Sequence, residues 1–191
     1  MSGTDQSSEN IKSVDLKRLW GKPIGEILCT MFGVTAKQIE QALSTQEDKG
    51  GRIGEVLLAA KQISSTQLAE AIAIQMDLPF LASINVEEIP DELLNQVPIG
   101  FAKQNRILPL GFSSTGNLRL VCFDALDMAT QDELRLLLGR EIDLEIAAPE
   151  VITAAINRAY DRAIRRAESA VAELEEVEST DLRGDLEEEI V

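Results

Sequence analysis

The chain contains no histidine. That removes imidazole acid–base catalysis, Cys-His dyads, the Ser-His-Asp triad and most zinc sites. It has two cysteines, Cys29 on an apolar helix pattern and Cys122 in an apolar strand pattern, which read as reduced, buried small hydrophobes rather than a disulfide. Aromatic residues make up 4% of the chain, so the core that its 45% hydrophobic content supports is aliphatic. No apolar run approaches the roughly 18 residues of a membrane span. The opening MSGTDQSSEN lacks the basic and apolar regions of a signal peptide, and the expected location is the cytoplasm. Positive charge is scarce, with 18 Lys and Arg against 33 Asp and Glu and a net charge of −15. A nucleic-acid partner is excluded on that ground, because such binding draws on phosphate neutralisation. No Gly-x-x-x-x-Gly-Lys-Ser/Thr loop occurs and Gly21-Lys22-Pro23 is no phosphate cradle, so the chain reads as non-catalytic.

What the chain does have is a repeat. PIGEILCTMFGVTAKQIEQALSTQ, residues 23–46, returns as RIGEVLLAAKQISSTQLAEAIAIQ, residues 52–75, with EDKGG between the copies and 7 of 24 positions identical. Each copy opens on apolar residues with one-face helical spacing: Ile24, Ile27, Leu28 and Met31, then Ile53, Val56, Leu57 and Ala60. Thr35 with Gln38, and Ser64 with Gln67, place a capping box at the same point of each copy, where a second helix starts. Those second helices are expected to bury Ile39, Ala42 and Leu43 in one copy and Leu68, Ala71 and Ile72 in the other. Each copy is therefore an αα-hairpin. Gly25 and Gly54 fall at equivalent helix starts, where backbone N–H groups are unpaired and the missing side chain leaves room for another molecule.

Upstream, IKSVDLKRLW ends in the sole tryptophan, Trp20, which reads either as part of a short helix packed on the first hairpin or as an exposed anchor for a partner. Downstream, Pro90 and Pro98 open short helices. RILPLGF and NLRLVCF, joined by Ser113-Ser114-Thr115-Gly116, form a β-hairpin; ATQDELRLLL is a helix, EIDLEIAA a strand and Pro149 the start of a long helix. The expected class is α+β: an N-terminal helical subdomain of two αα-hairpins, a small α/β sandwich with helices on one sheet face, and an acidic helical tail. The expected divisions are a flexible N-terminus with a short amphipathic segment (1–22), the helical repeat (23–77), the α/β subdomain (78–160), and a helix extension with an acidic linker (161–191). Within the last, 168–191 holds ten carboxylates and one arginine, and 178–191 is expected to be solvated and unpacked.

Together these features resemble the N-terminal region of the type II secretion (general secretory pathway) and type IV pilus assembly ATPases, the protein E family. The repeat matches that family's pattern of Arg-Leu-Gly, an apolar pair, a Gly-apolar turn, two leucines four apart and a terminal Gln. IAIQMDLPFL, PIGFAKQNRILPLGF, NLRLVCFDALD and DLRGDLEEEIV extend the resemblance over about residues 23–191. It implies a docking and coupling region that links the motor to an inner-membrane assembly-platform protein, with a hexameric full-length protein peripheral to the membrane through that partner. ATP and magnesium are expected only in an ATPase domain beyond this chain.

In some members the repeats bind cyclic di-GMP, so the alternative implied is a cyclic di-GMP sensing domain of a pilus ATPase or of another membrane-associated enzyme. For that ligand the resemblance points to Ile24, Gly25, Gln46, Arg52, Ile53, Gly54 and Gln75. Arg52 would meet a phosphate or guanine edge with two bonds, the glycines would let helix-start N–H groups close on phosphate, the isoleucines would cover a purine, and the glutamines would donate and accept. The same residues also have plain readings as a surface charge, helix-entry turns and exposed helix positions. The chain departs from the family pattern at Pro23, where the first copy's Arg would stand, at Phe32 and Lys61, where Gly is usual, and in having Ile for Leu after the first position. Weak or absent cyclic di-GMP binding is expected.

Overall fold

The computed structural model describes residues 16–188. Its helices are α1 (Ile24–Phe32), α2 (Ala36–Lys49), α3 (Ile53–Ala59), α4 (Ser65–Met76), α5 (Asp91–Gln96), α6 (Ile99–Asn105), α7 (Met128–Leu138) and α8 (Pro149–Glu188). Its strands are β1 (Phe80–Leu81), β2 (Ile107–Phe112), β3 (Leu118–Cys122) and β4 (Ile142–Ala147), and short 3-10 turns occupy Leu16–Leu19 and Val86–Glu88. The fold is α+β. The segment 1–10, expected to be disordered, lies outside the described residues.

Both capping boxes form. The Thr35 N–H donates to Gln38 Oε1 at 2.9 Å and Gln38 N–H to Thr35 Oγ1 at 3.3 Å; the Ser64 and Gln67 pair repeats this at 2.8 and 3.1 Å. Each therefore satisfies two backbone donors that a helix start leaves free. The helices then exchange partners between copies, with α1 packing chiefly on α4 and α2 on α3. The equivalent of Gly25 against Ile39 is Gly54 against Leu68, and at both the glycine lets a helix start lie directly on the second helix of its own copy.

The joints between copies also match. After the first copy, Gly50 N–H donates to Gln46 O at 2.7 Å and the Gln46 amide to Gly51 O at 2.6 Å. After the second, Gly21 N–H donates to Gln75 O at 3.0 Å and the Gln75 amide to Lys22 O at 2.8 Å. Gly21-Lys22 thus stands to Pro23 as Gly50-Gly51 stands to Arg52, and a pseudo-twofold relates the copies. Leu19 is buried in the helical core, so residues 16–22 pack with the repeat instead of trailing from it, while Trp20 stays half exposed.

The sheet order is β1-β4-β3-β2, with β2 antiparallel to β3 and the β3–β4 and β1–β4 pairs parallel. The helix α7 makes the β3-to-β4 crossover that a parallel pair requires. Leu118, Leu120 and Ile146 are buried on one sheet face, and Leu108 and Val121 on the other. The sheet is thus covered on both faces rather than one. The helix α4 is shared between the two cores: Leu68 and Ala71 enter the helical one, while Ala69 and Ala73 enter the α/β one. Phe123 packs against both.

The α/β core runs past residue 160, because Tyr160 and Ala163 belong to it. The Tyr160 hydroxyl donates to Val97 O at 2.6 Å. Arg162, 6% exposed, donates to the carbonyls of Val86 and Ile89 and, at 2.7 Å, to Asp91 Oδ1. Burial alone would raise the Asp91 pKa, but hydrogen bonds from Arg162 and Arg166 hold it below the usual carboxylate value. Over 178–188, where a linker is expected, the backbone is helical, since α8 continues unbroken to Glu188; 189–191 lie outside the described residues. High helix propensity of Glu, Leu and Ala outweighs the loss of apolar periodicity, and the single glycine, Gly184, does not stop it. Three further corrections concern burial. Leu43 is 44% exposed and Ile39 only partly buried, because nothing among the described residues covers the outer side of α2 as the α/β core covers α4, and Ile72 too is only partly buried. Among the described residues no helix is long and apolar enough to cross a membrane.

Candidate functional site

The repeat and the α/β part meet at a cleft of about 400 Å³. Its apolar floor includes Ile24, Ile53, Leu68, Ile72 and Met76; its polar wall includes Arg52, Gln75, Asn105, Arg106, Asp124 and Asp127. The sequence pattern explains how these converge. Arg52 precedes α3 in extended conformation, its N–H donating to Glu55 Oε2 at 3.2 Å, so its side chain leaves the helix start toward the α/β part. Across the cleft, β3 ends at Cys122 and the chain turns through Phe123–Asp127 before α7. Asp127 closes that turn by accepting from Thr130 N–H at 3.1 Å and Thr130 Oγ1 at 2.6 Å, bonds that lower its pKa. Arg106 ends α6 in the left-handed region at φ 50°, a conformation that costs a non-glycine residue about 1–2 kcal/mol.

Arg52 Nη1 donates to Asp124 Oδ2 at 2.9 Å, and that hydrogen bond raises the guanidinium pKa. Ser65 Oγ donates to Glu150 Oε2 at 2.7 Å nearby, a second polar tie between the two parts. The cleft wall carries two cations, Arg52 and Arg106, against Glu55, Asp124 and Asp127. An anion entering here must therefore draw Arg52 away from Asp124.

Of the residues implied by resemblance, Ile24, Arg52, Ile53, Gly54 and Gln75 line this cleft. Gly25 does not. It lines a groove of about 440 Å³ with Pro23, Ile24, Cys29, Ile39, Leu43 and Ile53, among others. The pseudo-twofold maps this groove onto the cleft's repeat wall, Pro23 onto Arg52, Ile39 onto Leu68 and Leu43 onto Ile72, and the two hollows share Ile24 and Ile53. The groove lacks the polar wall, because Pro23 replaces the arginine and no α/β loop reaches it. Gln46 lines neither hollow, and its amide is spent on Gly51 O. Gln75 reaches the cleft with its amide already donated to Lys22 O. The glycines serve packing: a Cβ on Gly54 would lie 2.5 Å from Leu68 Cδ1, so the space beside it is filled by the protein itself.

Sequence reasoning missed Phe123, Asp124, Asp127, Asn105 and Arg106. One signal pointed to the first three, since the loop after a strand that enters a helix by a parallel crossover lies at the strand's carboxyl end, where α/β sheets place their ligands. Among the described residues no group of three or more His, Cys, Asp or Glu could hold a metal ion.

Residues 76–166 match the MshEN domain model. That stretch, just under half of the chain, is similar to an MshEN domain. The matched span is mainly the α/β part and includes the loop that brings Asp124 to the cleft. Over longer stretches the chain is similar to two type IV pilus assembly ATPases named PilB. The match to that of Myxococcus xanthus is 25% identical over 137 residues, and to that of Thermus thermophilus 28% over 123. These matches take in 72% and 64% of this chain but 24% and 14% of the ATPases. Among solved structures, MshE with cyclic di-GMP superposes at a TM-score of 0.59 and 28% identity, covering 73% of this chain and 99% of that one. The N-terminal domain of XpsE superposes at 0.54 and 23% identity, covering 71% and 92%, and shares the fold. Over most of its length the chain is thus homologous to a part, between about a seventh and a quarter, of type IV pilus assembly ATPases.

Proposed function

We propose that this chain is the non-catalytic N-terminal docking and coupling region of a type II secretion or type IV pilus assembly ATPase, joining the motor to the inner-membrane platform protein. The observation that carries the reading is the junction itself. The two cores share α4 and Phe123 and are tied at the surface by the half-exposed Arg52–Asp124 pair and the Ser65–Glu150 hydrogen bond, so a displacement of one part passes to the other through a buried helix. Exposed pairs of this kind contribute about 0–1 kcal/mol. The similarity to type IV pilus assembly ATPases supports a neighbouring ATPase domain, where ATP and magnesium would bind; in this reading the full-length protein is a hexamer peripheral to the cytoplasmic side of the inner membrane. The test is co-purification of the chain with the cytoplasmic domain of the platform protein from the same organism, alongside an ATPase assay. A complex without hydrolysis is expected; a folded chain that captures no platform protein refutes the reading.

A second reading, cyclic di-GMP sensing, is favoured by the two equivalent hollows that share Ile24 and Ile53, and by the likeness to MshE solved with that ligand. A twofold-symmetric ligand fits a pseudo-twofold site with one half per copy. Pro23 supplies neither charge nor donor in the first half. Loss of one bidentate arginine contact costs about 1–3 kcal/mol, or roughly ten- to a hundredfold in affinity. Lys22 is no substitute for the fork, because its ammonium is held 3.3 Å from Glu26. The expected result in calorimetry is weak binding that disappears in Arg52→Ala. Sub-micromolar affinity, or affinity unchanged in that variant, would show that the departures at Pro23, Phe32 and Lys61 carry no weight.

A further inference from the structure

The sheet has a strand edge that is half used. β1 pairs with β4 only at Phe80↔Ile146 and Leu81↔Ala147, while β4 itself begins four residues earlier at Ile142. Ile146 N–H donates to Pro79 O, so the backbone groups of Ile146 point to the β1 side. In a strand every second residue points the same way, and Leu144 and Ile142 therefore also face outward. Leu118 N–H bonding to Glu141 O confirms the phase, because residues 141, 143 and 145 face β3. To continue the β1 ladder, Leu144 O would need the N–H of residue 79, and residue 79 is proline. Pro79 thus ends the pairing one step after it begins, and the chain before it turns away through Asp77 in the left-handed conformation into α4. A shallow hollow lined by Leu78, Pro79, Arg119, Asp143, Leu144 and Glu145, among others, lies along this free half.

We propose that the free outer edge of β4, from Ile142 to Leu144, accepts an extended segment of the docking partner as an added strand, with a basic residue set between two apolar ones. The proposal rests on the docking reading above and names its surface. Backbone pairing supplies the attachment, since unpaired strand edges are templates for another chain. The alternation sets the side chains. On one face an incoming strand lies beside Ile142 and Leu144, which are half buried and offer apolar cover. On the other it lies beside Asp143, whose carboxylate accepts from Asn117 Nδ2 at 2.8 Å and from the Ser113 side chain and, among the described residues, pairs with no cation, whereas Glu145 is already paired to Arg119 Nε at 2.6 Å. A lysine or arginine fits that position. A second copy of this chain does not, because it would set Asp143 against Asp143.

The test is amide hydrogen exchange on the full chain, alone and with the platform protein's cytoplasmic domain. In the free chain the Ile142 and Leu144 amides should exchange much faster than those of Asp143 and Glu145; equal protection means the edge is already closed and overturns the proposal. When the platform domain binds, the two amides should slow, and affinity should fall about tenfold in Leu144→Pro, which lacks the donor. The charge reversal Asp143→Lys, which leaves the ladder intact, should weaken binding similarly. A platform domain that binds without slowing either amide overturns the strand-addition site and leaves the docking reading standing. Should it not bind, the docking reading fails, and panning a displayed random-peptide library on the chain decides the edge. Enriched apolar–basic–apolar peptides that slow both amides uphold it, and a selection without them overturns it.

Discussion

Alanine at the two equivalent glycines should have opposite effects. Gly25 and Gly54 occupy the same position of the repeat, the second residue of a helix, with ordinary φ. In both, alanine removes backbone freedom from the unfolded chain and raises helix propensity, a gain of up to about 1 kcal/mol. The surroundings then differ. A Cβ on Gly25 meets Ile39 at 3.4 Å, ordinary contact against a partly exposed side chain. A Cβ on Gly54 meets Leu68 Cδ1 at 2.5 Å, closer than real Cβ contacts, and Leu68 is 3% exposed, so that side chain must shift within the core it helps fill. Overpacking of that kind costs about 1–3 kcal/mol. Gly25→Ala is therefore expected to be neutral to stabilising and Gly54→Ala destabilising, the two differing by about 1–3 kcal/mol, or roughly 2–12 °C in melting temperature for a chain of this size. Urea unfolding followed by far-ultraviolet circular dichroism measures both, and an unchanged slope shows that stability alone moved. Equal effects at the two sites would refute the reasoning, because the helix term is common to both and only the contact differs.

Arg162→Ala should cost about 3–5 kcal/mol in the same assay, since it leaves the buried Val86 and Ile89 carbonyls without their donor and the Asp91 carboxylate with Arg166 alone. Asp91 has its pKa lowered by folding, so its contribution is present above the unfolded carboxylate value and is lost as pH falls through the lower folded one; acid titration of wild type against Asp91→Asn should show the difference shrinking in that window. Asp124→Asn should change stability by less than about 1 kcal/mol, the pair being half exposed, and a larger loss in urea unfolding would mean that the junction is a rigid contact. Burial pushes the Cys122 thiol up to about 12, so only Cys29 should react with a thiol reagent at neutral pH until the protein unfolds; two fast thiols would contradict the burial of β3.

Local structure was largely legible in the sequence. The Thr35–Gln38 and Ser64–Gln67 boxes, the 113–116 turn and the strand at 142–147 each rest on residues close in the chain, and short-range chemistry decides them. What periodicity does not carry is the identity of the covering element. The apolar face of α2 looked as buried as that of α4, yet only α4 meets the sheet, which is why Leu43 is exposed and Ile72 is not. The cleft was half visible for the same reason. Arg52 stands out in the repeat, but Asp124 lies 72 positions away in a loop with no repeat to mark it. The part the glutamines play in the joints is not legible in the sequence, because their amides bond to backbone carbonyls that become neighbours only once the pair has closed. The acidic stretch after Ala172 lacked an apolar stripe and so looked like a linker, although its backbone propensity is helical.

The matching joints at Gln46 and Gln75 make the repeat pair a ring with one seam. The first joint is continuous chain, its bonded residues four and five positions apart. The second is the same pair of bonds made by residues 53 and 54 positions apart, held together by nothing but packing and those bonds. The ring therefore has one place to open. Residues 16–22 leaving Gln75 would take Leu19 out of the helical core and loosen α1 against α4, the helix on which the sheet also rests. Any species that starts at Pro23 carries the whole repeat and yet lacks its seam.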